Sequence, residues 1–191
     1  MTTTRSPIKN ASTTCFKRRN FLKLAACTTV ALLTTPAFAK IGPLRDRPLA
    51  FYNTHTGEKL RTDYWADGRY LPEGLAEINH ILRDHRTDEV KAIDPKLLDL
   101  LYALQLKLGS RQAFHIISGY RSPATNASLH AHSKGVASRS LHMDGMAADI
   151  FLPDRSLHTL KEAALTLQRG GVGYYPKSNF VHVDVGRIRQ W

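Results

Sequence analysis

Apolar positions recur along the chain with two different periods. From Pro72 to Arg86, Leu75, Ile78, Ile81, Leu82 and His85 return at helical spacing, which predicts a helix. The pattern is stronger from Asp94 to Gly109. There Leu97, Leu98, Leu101, Leu104 and Leu108 form one stripe, Asp94 can cap the start, Pro95 suits the first turn and Gly109 can end it. Ser122 and Pro123 open a further helical segment that dies at Gly135, and Ser156 to Gly171 reads as an amphipathic helix with a serine cap and a glycine stop. Between these lie β-rich runs. Leu49 to Trp65 holds two of them around Thr54-His55-Thr56-Gly57-Glu58, the pattern of a hairpin; Ala113 to Ser118 is a short strand, and Val172 to Gly186 reads as two more. The mixture predicts one α+β domain, an antiparallel sheet with flanking helices.

The N-terminal part of the 191-residue chain follows different rules. Lys17-Arg18-Arg19-Asn20-Phe21-Leu22-Lys23 precedes an apolar run that closes on the small-x-small site Ala37-Phe38-Ala39. This is the pattern of a twin-arginine export signal, residues 1–39, cleaved after Ala39, and it places the mature domain, residues 40–191, in the periplasm. The apolar stretch from Leu24 to Leu33 is about half the ~20 residues that a bilayer span needs, so no stable membrane span is expected after cleavage. A lipoprotein-like box ending at Cys27 is the alternative. It would split the apolar segment and leave Lys23 inside its short first half.

Removing that segment changes the charge. It holds six Lys or Arg and no acid, so the formal charge falls from +11 to +5. What remains suits an anionic surface such as a bacterial wall and is too small to argue for nucleic acid. Both cysteines, Cys15 and Cys27, lie in the signal, so the mature chain has no disulfide to rely on. About 152 residues are enough for one domain with its own core.

The candidate chemistry lies between Ser140 and Leu152, where a carboxylate, Asp149, interrupts a run that otherwise reads as core. In a strand, Ala148, Ile150 and Leu152 share one face while Ala147, Asp149 and Phe151 share the other. By the same rule Val181, Val183 and Val185 face one way, and Phe180, His182 and Asp184 face the other. Were the two strands paired antiparallel, directly opposed Cβ atoms would lie about 5 Å apart. His142, Asp149 and His182 then make a two-histidine, one-carboxylate set, and zinc in catalytic sites takes three such ligands and leaves a fourth position for water. Spacing alone leaves an Asp149–arginine pair as an equal reading. His80, His85 and His115 read as packed or surface residues, and His130 and His132 as an exposed His-x-His in a basic segment.

Three ordered motifs, Ser118-Gly119-Tyr120-Arg121-Ser122, Ser140 to Asp149 (SxHxxGxAxD) and Phe180 to Asp184, resemble those of the zinc D-Ala-D-Ala peptidases. That family includes the VanX-type dipeptidases and shares a fold with the Hedgehog signalling domain. Over the whole mature chain, Asn53 to Glu58, Gly170 to His182 and Trp191 included, the sequence resembles its murein endopeptidase group. The resemblance implies a Hedgehog/DD-peptidase-like fold and His142, Asp149 and His182 as zinc ligands. It further implies Arg121 as stabiliser of the charge on the substrate carbonyl oxygen, Ser140 as a substrate contact, and peptidoglycan peptides as the substrate. One departure is clear: where many relatives carry an acid or a second histidine just before the closing histidine, this chain has Asn179 and Phe180. Asp184 is then the candidate for the acid–base role, with orientation of a histidine ligand as its competing role. Two non-catalytic classes stay open, a module of the same fold that binds wall peptides without cutting them and a periplasmic metal-binding protein.

Overall fold

The β-rich segment from Leu49 to Trp65 folds into the expected hairpin. In a computed structural model, which describes residues 46–133 and 135–191, strands β1 (Arg47–Asn53) and β2 (Lys59–Ala66) pair antiparallel with Phe51 opposite Leu60. The Asn53 side chain accepts the backbone N–H groups of His55 and Thr56, and Gly57 takes a positive φ of 76°, so the turn satisfies its own donors. The export signal read at residues 1–39, and its alternative at Cys27, lie outside the described residues.

Eight strands form one sheet. After the hairpin come β3 (Arg69–Tyr70), helix α1 (Pro72–Ile81), α2 (Pro95–Leu108), β4 (Phe114–Ser118), α3 (Pro123–His132), β5 (Ala147–Phe151), α4 (Leu157–Leu167), β6 (Gly171–Tyr175), β7 (Phe180–Asp184) and β8 (Arg189–Gln190). The strand order is β3-β2-β1-β4-β5-β7-β6-β8. The α+β class is as expected, but the sheet is mixed rather than wholly antiparallel. β1 runs parallel to β4 and β6 parallel to β8. The first pairing follows a long crossover through α1 and α2, which lets the chain re-enter in the same direction. In the second, the chain leaves β7 and passes to the far side of β6.

One face of the sheet is the core. Leu49 and Phe51 of β1, Ile116 of β4, Ile150 of β5 and Val181 and Val183 of β7 are almost wholly buried, as are Leu97, Leu98, Leu101 and Leu104 of α2. Asp94 accepts the N–H of Lys96 at the start of α2, and Gly109 ends it with φ 58°, both as the sequence predicts. α4 ends differently. Gln168, not a glycine, takes the left-handed conformation after Leu167, and Gly171 is already the first residue of β6.

α1 stops at Ile81 and does not run on to Arg86. The carbonyl of Leu82 is claimed by the N–H of Tyr120 at 2.7 Å, and the chain then turns around Asp84. This carboxylate is 1% exposed and accepts the backbone N–H groups of Arg86 and Ser122 at 3.0 and 2.8 Å. Burial pushes its pKa up, but hydrogen bonds from Thr125 and from those two backbone groups outweigh it and hold the value at about 2. Asp84 thereby ties the end of α1 to the loop that carries Gly119 and Arg121. Because the folded pKa is depressed, its contribution is present above the unfolded value near 4 and is lost as pH falls toward 2. The share of the wild-type acid decline that Asp84 carries should be about 2 kcal/mol across that window in chemical denaturation. Asp84→Asn should show the loss already at pH 7 and a correspondingly smaller acid decline.

Candidate metal centre

The face of the sheet opposite the helical core carries the polar side chains of β5 and β7. These strands pair antiparallel with Asp149 directly opposite His182 and Ala147 opposite Asp184. His142 comes from a one-turn 3-10 helix, Leu141–Asp144, which Ser140 caps by accepting the His142 backbone N–H at 3.4 Å. Gly145 then turns the chain into β5 with φ 68°, and it lies so close to the Ala92 carbonyl that a Cβ would collide. One short stretch, His142 to Asp149, and the distant strand β7 thus deliver one cluster.

Asp149 Oδ1 lies 2.8 Å from His182 Nδ1 and 3.2 Å from His142 Nε2, and the two ring nitrogens are 3.2 Å apart. The far nitrogen of each ring fixes its tautomer. His142 Nδ1 sits 2.7 Å from the Gly119 carbonyl, which can only accept, so that nitrogen carries the proton. His182 Nε2 sits 3.0 Å from Asp184 Oδ2 and donates to it. As neutral imidazoles, both histidines therefore aim lone pairs at the place where Asp149 aims a carboxylate oxygen. Three acceptors within 3.2 Å of each other, with no hydrogen between them, need a cation. Two imidazoles and one carboxylate are a donor set suited to a divalent ion such as zinc.

A proton is the competitor for that position. Burial lowers the pKa of His182, but hydrogen bonds to Asp149 and Asp184 outweigh it and push the value up to about 9. For Asp149, burial raises the pKa, while the charges and hydrogen bonds of His142 and His182 more than reverse this and hold it well below the carboxylate range.

Arg121 and Ser140 share the open cleft above the cluster, whose walls also include Arg139, Tyr175, Phe180 and Trp191. The Arg121 guanidinium is 8% exposed. Nη2 donates to Ser118 Oγ at 3.2 Å and reaches Asp149 Oδ2 at 3.4 Å, while Nε is buried without a hydrogen-bond partner. Burial lowers its pKa and Asp149 partly restores it.

Asp184 lies behind His182 and is fully buried. Besides His182 it accepts from Arg189 at 2.7 and 3.0 Å, from Gly171 N–H at 3.0 Å and from Gly186 N–H at 2.8 Å. Burial raises its pKa, but these bonds outweigh it and lower the value far below the usual range. Such a carboxylate is a poor proton acceptor. Its geometry answers to orientation of His182, the competing role, rather than to acid–base work.

Asn179 occupies a left-handed position, φ 58°, that ends a 3-10 turn, and Phe180 stacks on Tyr175 with ring centres 4.6 Å apart. Among the described residues, the cleft wall offers no carboxylate or imidazole beyond the three of the cluster. His130 and His132 end α3 with their rings bonded to the carbonyls of Val136 and Ser128, and neither belongs to the cluster. The sequence reading did not single out Tyr175 or Arg189, and it used Trp191 only for the resemblance. Their signal was the alternation of Gly171 and Gly173 on the strand beside His182.

An α+β domain that gathers these side chains on the open face of its sheet belongs to the D-Ala-D-Ala peptidase-like class, as the motifs implied. Within it, residues 43–191 match the family described as peptidoglycan L,D-endopeptidase MepK, and the chain belongs to that family. It is 47% identical over 176 residues to the peptidoglycan L,D-endopeptidase MepK of Escherichia coli (strain K12), covering 91% of this chain and 96% of that protein. It is 39% identical over 163 residues to the Haemophilus influenzae protein named "Probable peptidoglycan L,D-endopeptidase MepK", covering 85% and 88%.

Competition between proton and ion sets the expected behaviour of metal-free protein. With the His182 pKa near 9, zinc binding at pH 7 should release about one proton, seen as buffer-dependent heat in calorimetry. Affinity should rise roughly tenfold per pH unit from pH 7 toward 9 and then level off. Asp184→Asn should weaken zinc binding by about 10–100-fold without removing a ligand.

Proposed function

We propose that this chain is an exported, zinc-dependent peptidoglycan endopeptidase that hydrolyses L,D-amide links in the peptide cross-links. The observation that carries the reading is the convergence of His142, Asp149 and His182, with tautomers fixed from behind, at the floor of an open cleft. These three would hold the ion. When bound, zinc supplies Lewis acidity that polarises a carbonyl and makes water a nucleophile near neutral pH.

The remaining work falls to the chain's own groups. Arg121, nearly buried and with Nε unpartnered, stabilises the negative charge that gathers on the carbonyl oxygen under attack. Asp184 is read as the group that orients His182 and keeps its Nδ1 lone pair turned inward. Ser140 lines the substrate side of the cleft while its oxygen caps the turn that carries His142. The L,D choice of bond rests on the named activity of the relatives. Export to the periplasm rests on residues 17–39, with cleavage after Ala39 leaving 40–191 as the peptidase domain.

A second reading, a wall-binding module that does not cut, is favoured by one observation: the cleft wall carries no acid in place of the residues lost at Asn179 and Phe180. The metal-carrier reading has less behind it, because among the described residues one set of three metal-ligating side chains occurs.

Digestion separates these. Zinc-loaded protein incubated with purified peptidoglycan should release new muropeptides that a chelator abolishes, and mass spectrometry of defined cross-linked muropeptides should place the cut at an L,D-link. His142→Ala should reduce the products to background. Protein that cosediments with peptidoglycan and releases nothing would establish the binding module instead. Replacing Arg18 and Arg19 together by lysine should keep the full-length chain in the cytoplasmic fraction, as read by immunoblot.

A further inference from the structure

The cleft wall beside His182 holds a hydrogen bond that the reading above does not use. The indole Nε1 of Trp191 lies 2.7 Å from the Tyr175 hydroxyl oxygen. An indole N–H can only donate, so the phenol oxygen accepts. Its single hydrogen is then directed away from the tryptophan, and no acceptor among the described residues takes it. Tyr175 lines the same cleft as Arg121, Asp149 and His182.

Both rings are held in place. The Tyr175 ring stacks on Phe180 with centres 4.6 Å apart and planes inclined by 22°. Trp191 is fixed through its backbone, which exchanges hydrogen bonds with Val172 and Tyr174 at 3.2 and 3.1 Å. Its ring lies over Gly173, where a Cβ would strike it, with the ring centre 5.3 Å from that of His182 and 4.8 Å from the Arg189 guanidinium carbon. The absent side chain at Gly173 is therefore what admits the indole, and the indole is what turns the phenol.

We infer that Tyr175 is a further catalytic residue, whose hydroxyl donates a hydrogen bond to the carbonyl oxygen of the scissile amide opposite Arg121, and that Trp191 is the positioning residue that aims it. The inference rests on the endopeptidase reading. It gives the developing negative charge a second donor across the cleft that Arg121 also lines. A fixed neutral donor aimed at that oxygen acts more strongly as charge builds on it, so it lowers the barrier more than it tightens substrate binding.

The test compares zinc-loaded wild type, Tyr175→Phe, Trp191→Phe and the double variant on one defined L,D-cross-linked muropeptide, with zinc stoichiometry and thermal unfolding measured for each. Tyr175→Phe should keep one zinc and a near-wild-type Tm while kcat falls on the order of 10²-fold and KM changes little. Trp191→Phe should show a smaller fall in kcat, roughly severalfold, and the double variant should be no slower than Tyr175→Phe alone, because the indole acts through the phenol. In the metal-free protein, the indole N–H resonance of Trp191 should move upfield in Tyr175→Phe as its acceptor disappears.

An unchanged kcat in Tyr175→Phe, or a loss carried wholly by KM, would overturn the donor role. Multiplicative losses in the double variant, or an unmoved indole resonance, would overturn the positioning of Tyr175 by Trp191. If wild type itself cleaves nothing, the endopeptidase reading falls and takes the donor role with it, whereas full activity in both wild type and Tyr175→Phe removes the donor role alone.

Discussion

Two hydrogen bonds made on the far sides of the imidazoles decide what this sheet face can do. The Gly119 carbonyl accepts a hydrogen bond from His142 Nδ1–H, and the Asp184 carboxylate accepts one from His182 Nε2–H. Each bond removes a tautomer, and only the remaining pair of tautomers leaves both lone pairs facing Asp149. Behind each bond stands more of the fold. The Gly119 loop is pinned where Tyr120 donates to Leu82 and Ser122 donates to Asp84, so the first histidine depends on where α1 stops. The second depends on Arg189 and on two glycine N–H groups that saturate Asp184.

The charges around the centre pair off. Asp149 is matched by Arg121 at 3.4 Å and Asp184 by Arg189 at 2.7 Å, and the two imidazoles are neutral in their fixed tautomers. With both ligand nitrogens deprotonated, as an ion requires, the protein's own groups around it sum to zero. A divalent cation placed among them would keep most of its field for whatever enters the cleft, and the cleft arginines would add to it. The cluster also accounts for a carboxylate in a strand of alanine, isoleucine and phenylalanine. On the face of β5 that carries it stand Ala147 and Phe151, while Ala148 and Ile150 point toward the helices, so Asp149 is the one polar side chain of the strand and it serves the cleft.

Much of this was legible in the sequence because its signals are local. The α2 stripe, its Asp94 cap and Gly109 stop, the hairpin at Gly57 and the period of two in β5 and β7 all lie within a few residues of what they specify. The pairing of Asp149 with His182 needed one further assumption, that β5 and β7 are antiparallel neighbours. What escaped was long-range or very short. β3 and β8 are two residues each, too brief to show alternation, and the parallel pairings of β1 with β4 and β6 with β8 follow from the path of the chain rather than from any segment of it. Alternation put Asp184 on the side of His182 but could not count the donors around it, and that count separates an orienting carboxylate from a proton acceptor.

The two adjacent glycines after α4 show how a correct local signal can be assigned to the wrong cause. Gly170-Gly171 reads as a helix stop, yet Gln168 already supplies the left-handed residue that ends α4, at φ 49°. The glycines answer a different demand. A Cβ on Gly170 would meet the backbone carbonyl of Asp184, and one on Gly171 would meet both the Asp184 carboxylate and the Arg189 guanidinium, while Gly173 clears the ring of Trp191. All three absences lie along the edge of the network that holds His182. A methyl group at Gly171 must displace either the carboxylate that fixes the His182 tautomer or the arginine that neutralises it. The absence of side chains at Gly170, Gly171 and Gly173 is thus part of the cluster's construction, because it lets Asp184 and Arg189 close up behind His182 and lets Trp191 lie beside it.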